Sequence, residues 1–138
     1  MLYCEIMDRN IFDELVTNAL DGLPDEISQW MENVEIVVAD WPTASELAAV
    51  NVRSPSHLLG LYQGVPLTRR GSRYGLVAPD KITLFQRPIE NICKTDEEIE
   101  QRVQDVLVHE LAHHFGIGEV RLRQLEALRD KKRRQSRK

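Results

Sequence analysis

The sequence is poor in cysteine and contains no long hydrophobic run. Its two cysteines, Cys4 and Cys93, form no CxxC pair or other metal-ligand spacing, so we expect free thiols in a reducing, cytoplasmic setting. No apolar stretch approaches the roughly 20 residues of a membrane-spanning helix. Residues 1–10 lack the basic and apolar regions of a secretory signal. These absences argue against a disulfide-stapled secreted protein and against an integral membrane protein, and we expect no membrane partner.

The composition is that of a single folded domain with a basic end. The chain has 138 residues, of which 42% are hydrophobic, enough for one compact core. No internal repeat or linker divides it. Residues 121–138 carry a net charge of +7, whereas residues 1–120 carry −11. We therefore expect one domain over residues 1–130, followed by a basic, disordered tail over residues 131–138.

The basic tail has two interpretations. Lysine- and arginine-rich segments are typical of proteins that bind nucleic acid, but residues 131–138 contain no aromatic side chain for base stacking. No recognisable nucleic-acid-binding module accompanies them. We therefore interpret the segment as a solvated tail and do not expect nucleic acid as the main partner, although its charge alone would give a weak, salt-sensitive contact. The oligomeric state is not indicated by the sequence.

The spacing of hydrophobic residues predicts both helices and strands. Residues 8–33 have helical spacing, which Gly22 and Pro24 should interrupt. A capping box at Thr95 begins a long helix that should end at Gly116. The other predicted elements are strands at 34–39, 58–63 and 81–86, a short helix at 43–50, a loop at 64–79 and a last helix at 119–129.

The motif that indicates chemistry is H-E-x-x-H, formed by His109, Glu110 and His113 within the long helix. Four residues advance a helix by about 400°, so the two histidines project from one face. They can then bind one Zn²⁺ ion at about 2.0–2.1 Å. Glu110 lies beside that ion, where it can take a proton from a zinc-bound water and pass it to a leaving amine. The alternative is a pair of hydrogen-bonded histidines beside an ordinary carboxylate.

A catalytic zinc site needs a third protein ligand. Glu119 follows His113 by six residues, and Gly116 between them can end the helix and turn the chain back. Glu119 is therefore the candidate third ligand. The competing interpretation is an acidic residue in the first turn of the last helix, which the helix dipole alone favours.

Hydrolysis also needs a donor for the developing oxyanion. The candidates for contacts with the substrate or the oxyanion are His114, Tyr62 and Tyr74, although Tyr62 could simply pack within a strand and His114 could lie at the helix edge. Tyr74 belongs to the basic, glycine-rich loop 68–75, which lacks the phosphate-loop spacing and is interpreted as a lid. Asp105 could accept an imidazole N–H of His109 or be a solvated acid.

The motif resembles that of zincin metallopeptidases, in which H-E-x-x-H is followed by a glycine and a third ligand. That third ligand is His or Asp in the zincins, where this chain has Glu119. The likeness extends to the small bacterial zincin-like metallopeptidases, the minimal zincins, and spans roughly residues 5–129. The segments that carry this closer resemblance are residues 20–24, 59–68, 79–83 and 108–116.

The resemblance implies a fold, a cofactor and a substrate class. The implied fold is α+β, with a small twisted mixed sheet packed on an active-site helix and flanked by N- and C-terminal helices. The implied cofactor is Zn²⁺, and the implied partner is a peptide or protein substrate.

Two functional hypotheses follow. The first is a zinc-dependent metallopeptidase in which Glu110 activates a zinc-bound water and the substrate pairs with an edge strand of the sheet. The second is a catalytically silent zinc-binding module with a structural or interaction role, favoured by the unusual Glu119 and the lack of an identified oxyanion donor. An open coordination position on the metal would distinguish them.

Overall fold

The computed structural model describes residues 7–64 and 79–136. Within these ranges the chain forms six α-helices and three strands, so the predicted α+β class is confirmed. In chain order the elements are α1 (Arg9–Asp21), α2 (Asp25–Gln29), β1 (Val34–Ala39), α3 (Ala44–Ala49), β2 (Gly60–Gln63), β3 (Asp80–Phe85), α4 (Gln86–Asn91), α5 (Asp96–His114) and α6 (Glu119–Ser136). Most of the predicted loop, including Tyr74, lies outside the described residues.

The three strands form a mixed sheet in the order β1–β3–β2. β1 runs parallel to β3 and places Ile36 opposite Ile82, whereas β2 runs antiparallel and places Tyr62 opposite the same residue. β3 is therefore central, which explains why Ile82 and Leu84 are 0% exposed. Among the described residues, β2 forms an edge of the sheet.

Helices α1 and α5 pack together against the sheet and supply most of the core. Phe12 of α1 and Leu107 and Leu111 of α5 are all 0% exposed and belong to the same apolar cluster as Ile82. The helical spacing of apolar residues predicted both of these buried faces. Because α5 is fixed on its apolar side, the polar residues of its other side are held at defined positions near the sheet edge.

Local sequence determines both ends of α5, as predicted. The Thr95 hydroxyl accepts the Glu98 N–H at 3.1 Å, which caps the first turn. Gly116 has φ +66°, a left-handed conformation that favours glycine. The Ile117 N–H then bonds back to the Ala112 carbonyl at 2.8 Å. This cap ends α5 directly after its histidines and allows α6 to begin.

The predicted strand at 81–86 is followed at once by α4, which the sequence did not predict. Pro88 was expected to end regular structure here. In the fold Pro88 occupies the first turn of α4 instead, where a backbone N–H donor is not required. Cys93, just after this helix, is buried and free of any disulfide, as predicted, and its burial raises the pKa of the thiol. Cys4 lies outside the described residues.

Helix α6 continues to Ser136, seven residues beyond its predicted end at Arg129. Residues 131–136, which the sequence assigned to a basic tail, are therefore helical in the structure. Lys132 supplies a physical reason, because its Nζ donates to the Leu23 carbonyl at 2.7 Å. That carbonyl lies just past the C-terminal end of α1, where a cation is favourable. No helix among the described residues is both long and apolar enough to span a membrane.

Candidate metal centre

His109 and His113 lie one turn apart on the open side of α5, and both side chains are exposed. The Nδ1 of His109 lies 2.8 Å from the backbone carbonyl oxygen of Asp105. A carbonyl oxygen can only accept a hydrogen bond, so Nδ1 carries a proton, and in the neutral ring Nε2 is the nitrogen with the free lone pair. A ring held in this way at Nδ1 is typical of metal-binding histidines.

Asp105 contributes to the site through its backbone, while its carboxylate has another role. Its Oδ1 accepts a hydrogen bond from Arg129 of α6, a side chain that is only 8% exposed. The same guanidinium also pairs with Asp130. This ion pair ties α6 to α5 one turn before His109. The sequence pointed to Asp105 as a partner of His109, and the structure assigns that contact to the carbonyl.

Glu110 lies between the two histidines in sequence and against the sheet edge in space. Its Oε1 accepts the backbone N–H of Tyr62 at 2.9 Å. Burial raises the pKa of the Glu110 carboxyl, while the Tyr62 hydrogen bond and the two histidines partly oppose the shift. The carboxylate is thus poised for proton transfer closer to neutral pH than an exposed glutamate.

Strand β2 reaches Glu110 because Gly60 has no side chain. A Cβ at this position would lie 2.4 Å from Cγ1 of Val106 on α5, closer than atoms can approach. The strand therefore lies directly on the helix. The Tyr62 N–H points toward α5 and away from β3, so the outer edge of β2 forms one wall of the site.

Two grooves meet at Glu110. The larger, of about 600 Å³, is lined by residues that include Gly60, His109 and Glu126. The smaller, of about 300 Å³, is lined by residues that include Tyr62, Gly64 and His113. The site is thus open on both sides of Glu110 along the edge of β2.

Tyr62 and His114, both predicted as substrate contacts, come together with Asp80. The Tyr62 hydroxyl donates to Asp80 Oδ2 at 2.6 Å, and its ring stacks on His114 with centroids 4.0 Å apart. His114 Nε2 lies 3.6 Å from the same oxygen. This hydroxyl is engaged in the fold, so the backbone of Tyr62 is what faces the site. No sequence pattern indicated that Asp80 would contact these two residues, since they belong to other elements of the fold.

Glu119 lies apart from the histidines. It begins α6 with its side chain 80% exposed, and its carboxylate is 4.0 Å from Arg123. Over residues 7–64 and 79–136, no three His, Cys, Asp or Glu side chains form a group ready to hold a metal. The assignment of Glu119 as third ligand stays a prediction. The exposed imidazoles of His109 and His113 remain suitable donors, since Zn²⁺ favours imidazole nitrogen.

Glu126 is a site residue that sequence reasoning missed. Its Oε2 lies 3.6 Å from Nε2 of His109. The two residues face each other because α6 runs back along α5, as the Asp105–Arg129 pair also shows. The sequence signal for this contact was the turn at Gly116. A chain that reverses there brings residues that precede the turn next to residues that follow it at a similar separation.

Comparison with known proteins identifies the family. A family model described as zincin-like metallopeptidase matches residues 31–128, more than two thirds of the chain. The match includes all three strands as well as α5 and the first half of α6. No curated protein matches the chain.

Proposed function

The chain belongs to the zincin-like metallopeptidase family, and from this premise we propose that it is a zinc-dependent peptidase in which Glu110 is the general base. The observation that supports this most directly is the position of the Glu110 carboxylate. It is partly buried between the histidine face of α5 and the outer edge of β2. A carboxylate so placed can exchange protons with a group held at the two histidines.

Each residue of the motif has a separate role in this proposal. His109 and His113 would hold the zinc, and the Asp105 carbonyl keeps His109 Nε2 in the ligating form. Bound zinc would polarise the scissile carbonyl and lower the pKa of the attacking water. Glu110 accepts the proton of that water and later passes it to the leaving amine. Its raised pKa makes the Glu110 carboxylate a stronger base for the first of these transfers.

The sheet edge indicates how a substrate would bind. An extended peptide can add to an exposed strand through backbone hydrogen bonds, and β2 provides such an edge beside Glu110. The Tyr62 N–H is occupied by Glu110 in the free protein, so substrate pairing would use the other outward-facing backbone groups, which recur at every second residue along β2. Because grooves lie on both sides of Glu110, the site fits a bond within a peptide chain.

One observation favours a second candidate function, a zinc-binding module without catalysis. The described residues do not assemble three metal-binding side chains in advance. A site completed only upon metal binding would also suit an ion that stabilises the fold. The two candidates differ in what Glu110 does, and this can be measured.

The test combines metal analysis with a mixed-peptide digest. Protein prepared without chelators or metal-affinity resin should contain about one zinc per chain, as in catalytic and structural zinc sites, and His109→Ala should lose it. Glu110→Gln should keep the zinc and lower peptide hydrolysis by about 10²-fold or more. Glu97→Gln, an exposed position on the same helix, is the matched control and should leave both unchanged.

The outcomes separate the two candidates. Equal hydrolysis by the wild type and Glu110→Gln would contradict the peptidase. Zinc binding with no hydrolysis of any peptide by the wild type would favour the silent module. Absence of zinc from the wild type, even after zinc is offered, would overturn both.

A further inference from the structure

The zinc site of the proposed function needs a third ligand, and the structure places a carboxylate beside the metal-binding nitrogen of His109. That carboxylate belongs to Glu126 of α6, whose Oε2 lies 3.6 Å from Nε2 of His109. The Glu126 side chain is 31% exposed and lines the larger groove together with Glu110. It therefore lies inside the site.

The distance between the Glu126 and His109 side chains is compatible with a shared metal ion. A charge-assisted hydrogen bond between an imidazole N–H and a carboxylate has a length of about 2.7–2.9 Å. Two ligands bound at about 2.0–2.1 Å to one tetrahedral ion lie about 3.3 Å apart. The observed 3.6 Å is longer than such a hydrogen bond and near the separation of two ligands, so one ion could bind both atoms after a small movement. The orientation of the ring agrees, because Nδ1 is turned to the Asp105 carbonyl and Nε2 is turned to Glu126.

Glu119 has none of these features. Its side chain is 80% exposed, and its neighbour is the Arg123 guanidinium. It precedes Glu126 by seven residues, two helical turns along α6, on the same helix face. The helix therefore offers two glutamates, of which only the second is brought to His109.

The surroundings hold Glu126 in place. One turn farther along α6, Arg129 is buried and paired with Asp105 of α5. Asp105 is also the residue whose carbonyl orients His109. The contact between Asp105 and Arg129 thus fixes both His109 and the part of α6 that carries Glu126. Partners that orient metal ligands commonly have this role.

We propose that Glu126, rather than Glu119, is the carboxylate ligand that completes the zinc site with His109 and His113. This inference rests on the proposed function. The set of two imidazoles and one carboxylate is one that catalytic zinc sites use, and it leaves a fourth position for water. His113, exposed one turn along the same face of α5, is the remaining donor.

The test compares Glu126→Gln with Glu119→Gln in the full chain. Both changes remove one charge from α6 and keep the size of the side chain, so each is the control for the other. The dissociation constant for Zn²⁺ is measured by competition with a chromophoric chelator. Glu126→Gln should weaken zinc binding by more than about 100-fold, since loss of a ligand should exceed what the partners of metal ligands contribute. Glu119→Gln should stay within about twofold, since surface charges act weakly.

A second readout separates ligation from simple attraction by a nearby charge. Co²⁺ replaces the zinc, and its visible absorption reports the number and type of ligands. Glu126→Gln should change this spectrum, whereas Glu119→Gln should leave it as in the wild type. Melting curves of the metal-free variants show whether each still folds. If Glu126→Gln does not fold, Glu126→Asp replaces it, and a shortened ligand should also alter the spectrum.

The results separate this inference from the proposed function. Zinc binding that depends on His109 but is unchanged in Glu126→Gln would overturn the ligand assignment and leave the peptidase standing. Weaker zinc binding with an unaltered cobalt spectrum would also overturn it. Loss of zinc in Glu119→Gln alone would assign the ligand to Glu119. A wild type that binds no zinc would instead overturn the proposed function itself.

Discussion

Glu90 is fully buried and Glu110 partly buried, but their carboxylates have different environments. Glu90 on α4 is 5% exposed, and its carboxylate is surrounded by donors. Gln86 donates at 2.7 Å, Arg87 at 2.8 Å and the Met7 N–H at 3.3 Å. A buried carboxylate satisfied in this way is part of the supporting structure. We call Glu90 and these three donors the Glu90 cluster.

Glu110 on α5 has a much poorer environment. Within the described part of the chain, its carboxylate accepts one hydrogen bond, from the Tyr62 N–H. Burial raises the pKa of Glu110, since the lost hydration is not replaced by enough donors. The under-satisfied carboxylate of Glu110 is therefore the one available for proton transfer, whereas the fully paired carboxylate of Glu90 supports the fold.

The largest effect is expected in the Glu90 cluster. Glu90→Ala removes the buried acceptor of the Arg87 guanidinium and the Gln86 amide, so the free energy of unfolding should fall by about 3 kcal/mol. Urea unfolding at neutral pH measures this. Glu14→Ala, at an exposed position of α1, is the control and should change stability by no more than about 0.5 kcal/mol. A loss below about 1 kcal/mol at Glu90 would show that the cluster is not a structural element.

The same comparison explains which features the sequence could predict. Helix α5 was predicted with both its ends, because the Thr95 cap, the apolar spacing and Gly116 are local signals. The H-E-x-x-H motif is likewise local, since four residues along one helix define its geometry. The mixed sheet, by contrast, was expected because the chain resembles a family of known fold. Strand patterns alone do not specify which strands pair or in which direction.

The features that the sequence did not reveal depend on contacts between distant segments. The Glu90 cluster joins α4 to Met7, and Glu126 faces His109 only because α6 folds back on α5. The helical state of residues 131–136 depends in the same way on Lys132 reaching the end of α1. Composition and periodicity carry no information on such pairings.

The next largest effect is expected at Gly60, the residue that allows β2 to approach Glu110. Gly60→Ala adds a Cβ where Val106 already lies, at 2.4 Å, so it should destabilise the protein by about 2 kcal/mol through overpacking. It should also weaken peptidase activity, because the edge of β2 would move away from Glu110. Urea unfolding and the mixed-peptide digest measure the two effects.

Val106→Ala provides the control for this prediction. In the double variant the smaller side chain makes room for the new Cβ, so Gly60→Ala should cost less there than in the wild-type background. Equal costs in both backgrounds would mean that Gly60 is needed for its backbone conformation and not for the close approach of β2 to α5.

The smallest effect is expected on the stability of metal-free Glu110→Gln. This effect tests most directly whether the carboxylates of Glu90 and Glu110 differ in role. The pKa of Glu110 is raised in the folded state, so the folded state holds the proton more tightly than the unfolded state. That preference stabilises the wild type fully below the unfolded pKa and is lost as the pH rises through the folded pKa. A neutral glutamine has no such loss and can still accept the Tyr62 N–H.

Glu110→Gln should therefore melt at a higher temperature than the wild type at pH 7 in the presence of a chelator. The difference should shrink as the pH falls toward the ordinary glutamate pKa of 4.5. The corresponding change in the Glu90 cluster, Glu90→Gln, should lower the melting temperature at pH 7, since it removes the charge that pairs with Arg87. If both glutamine variants moved the melting temperature in the same direction, the distinction between a structural and a reactive carboxylate would fail. Opposite signs would show that the fold tolerates Glu110 at a cost in stability, which is expected of a residue retained for chemistry.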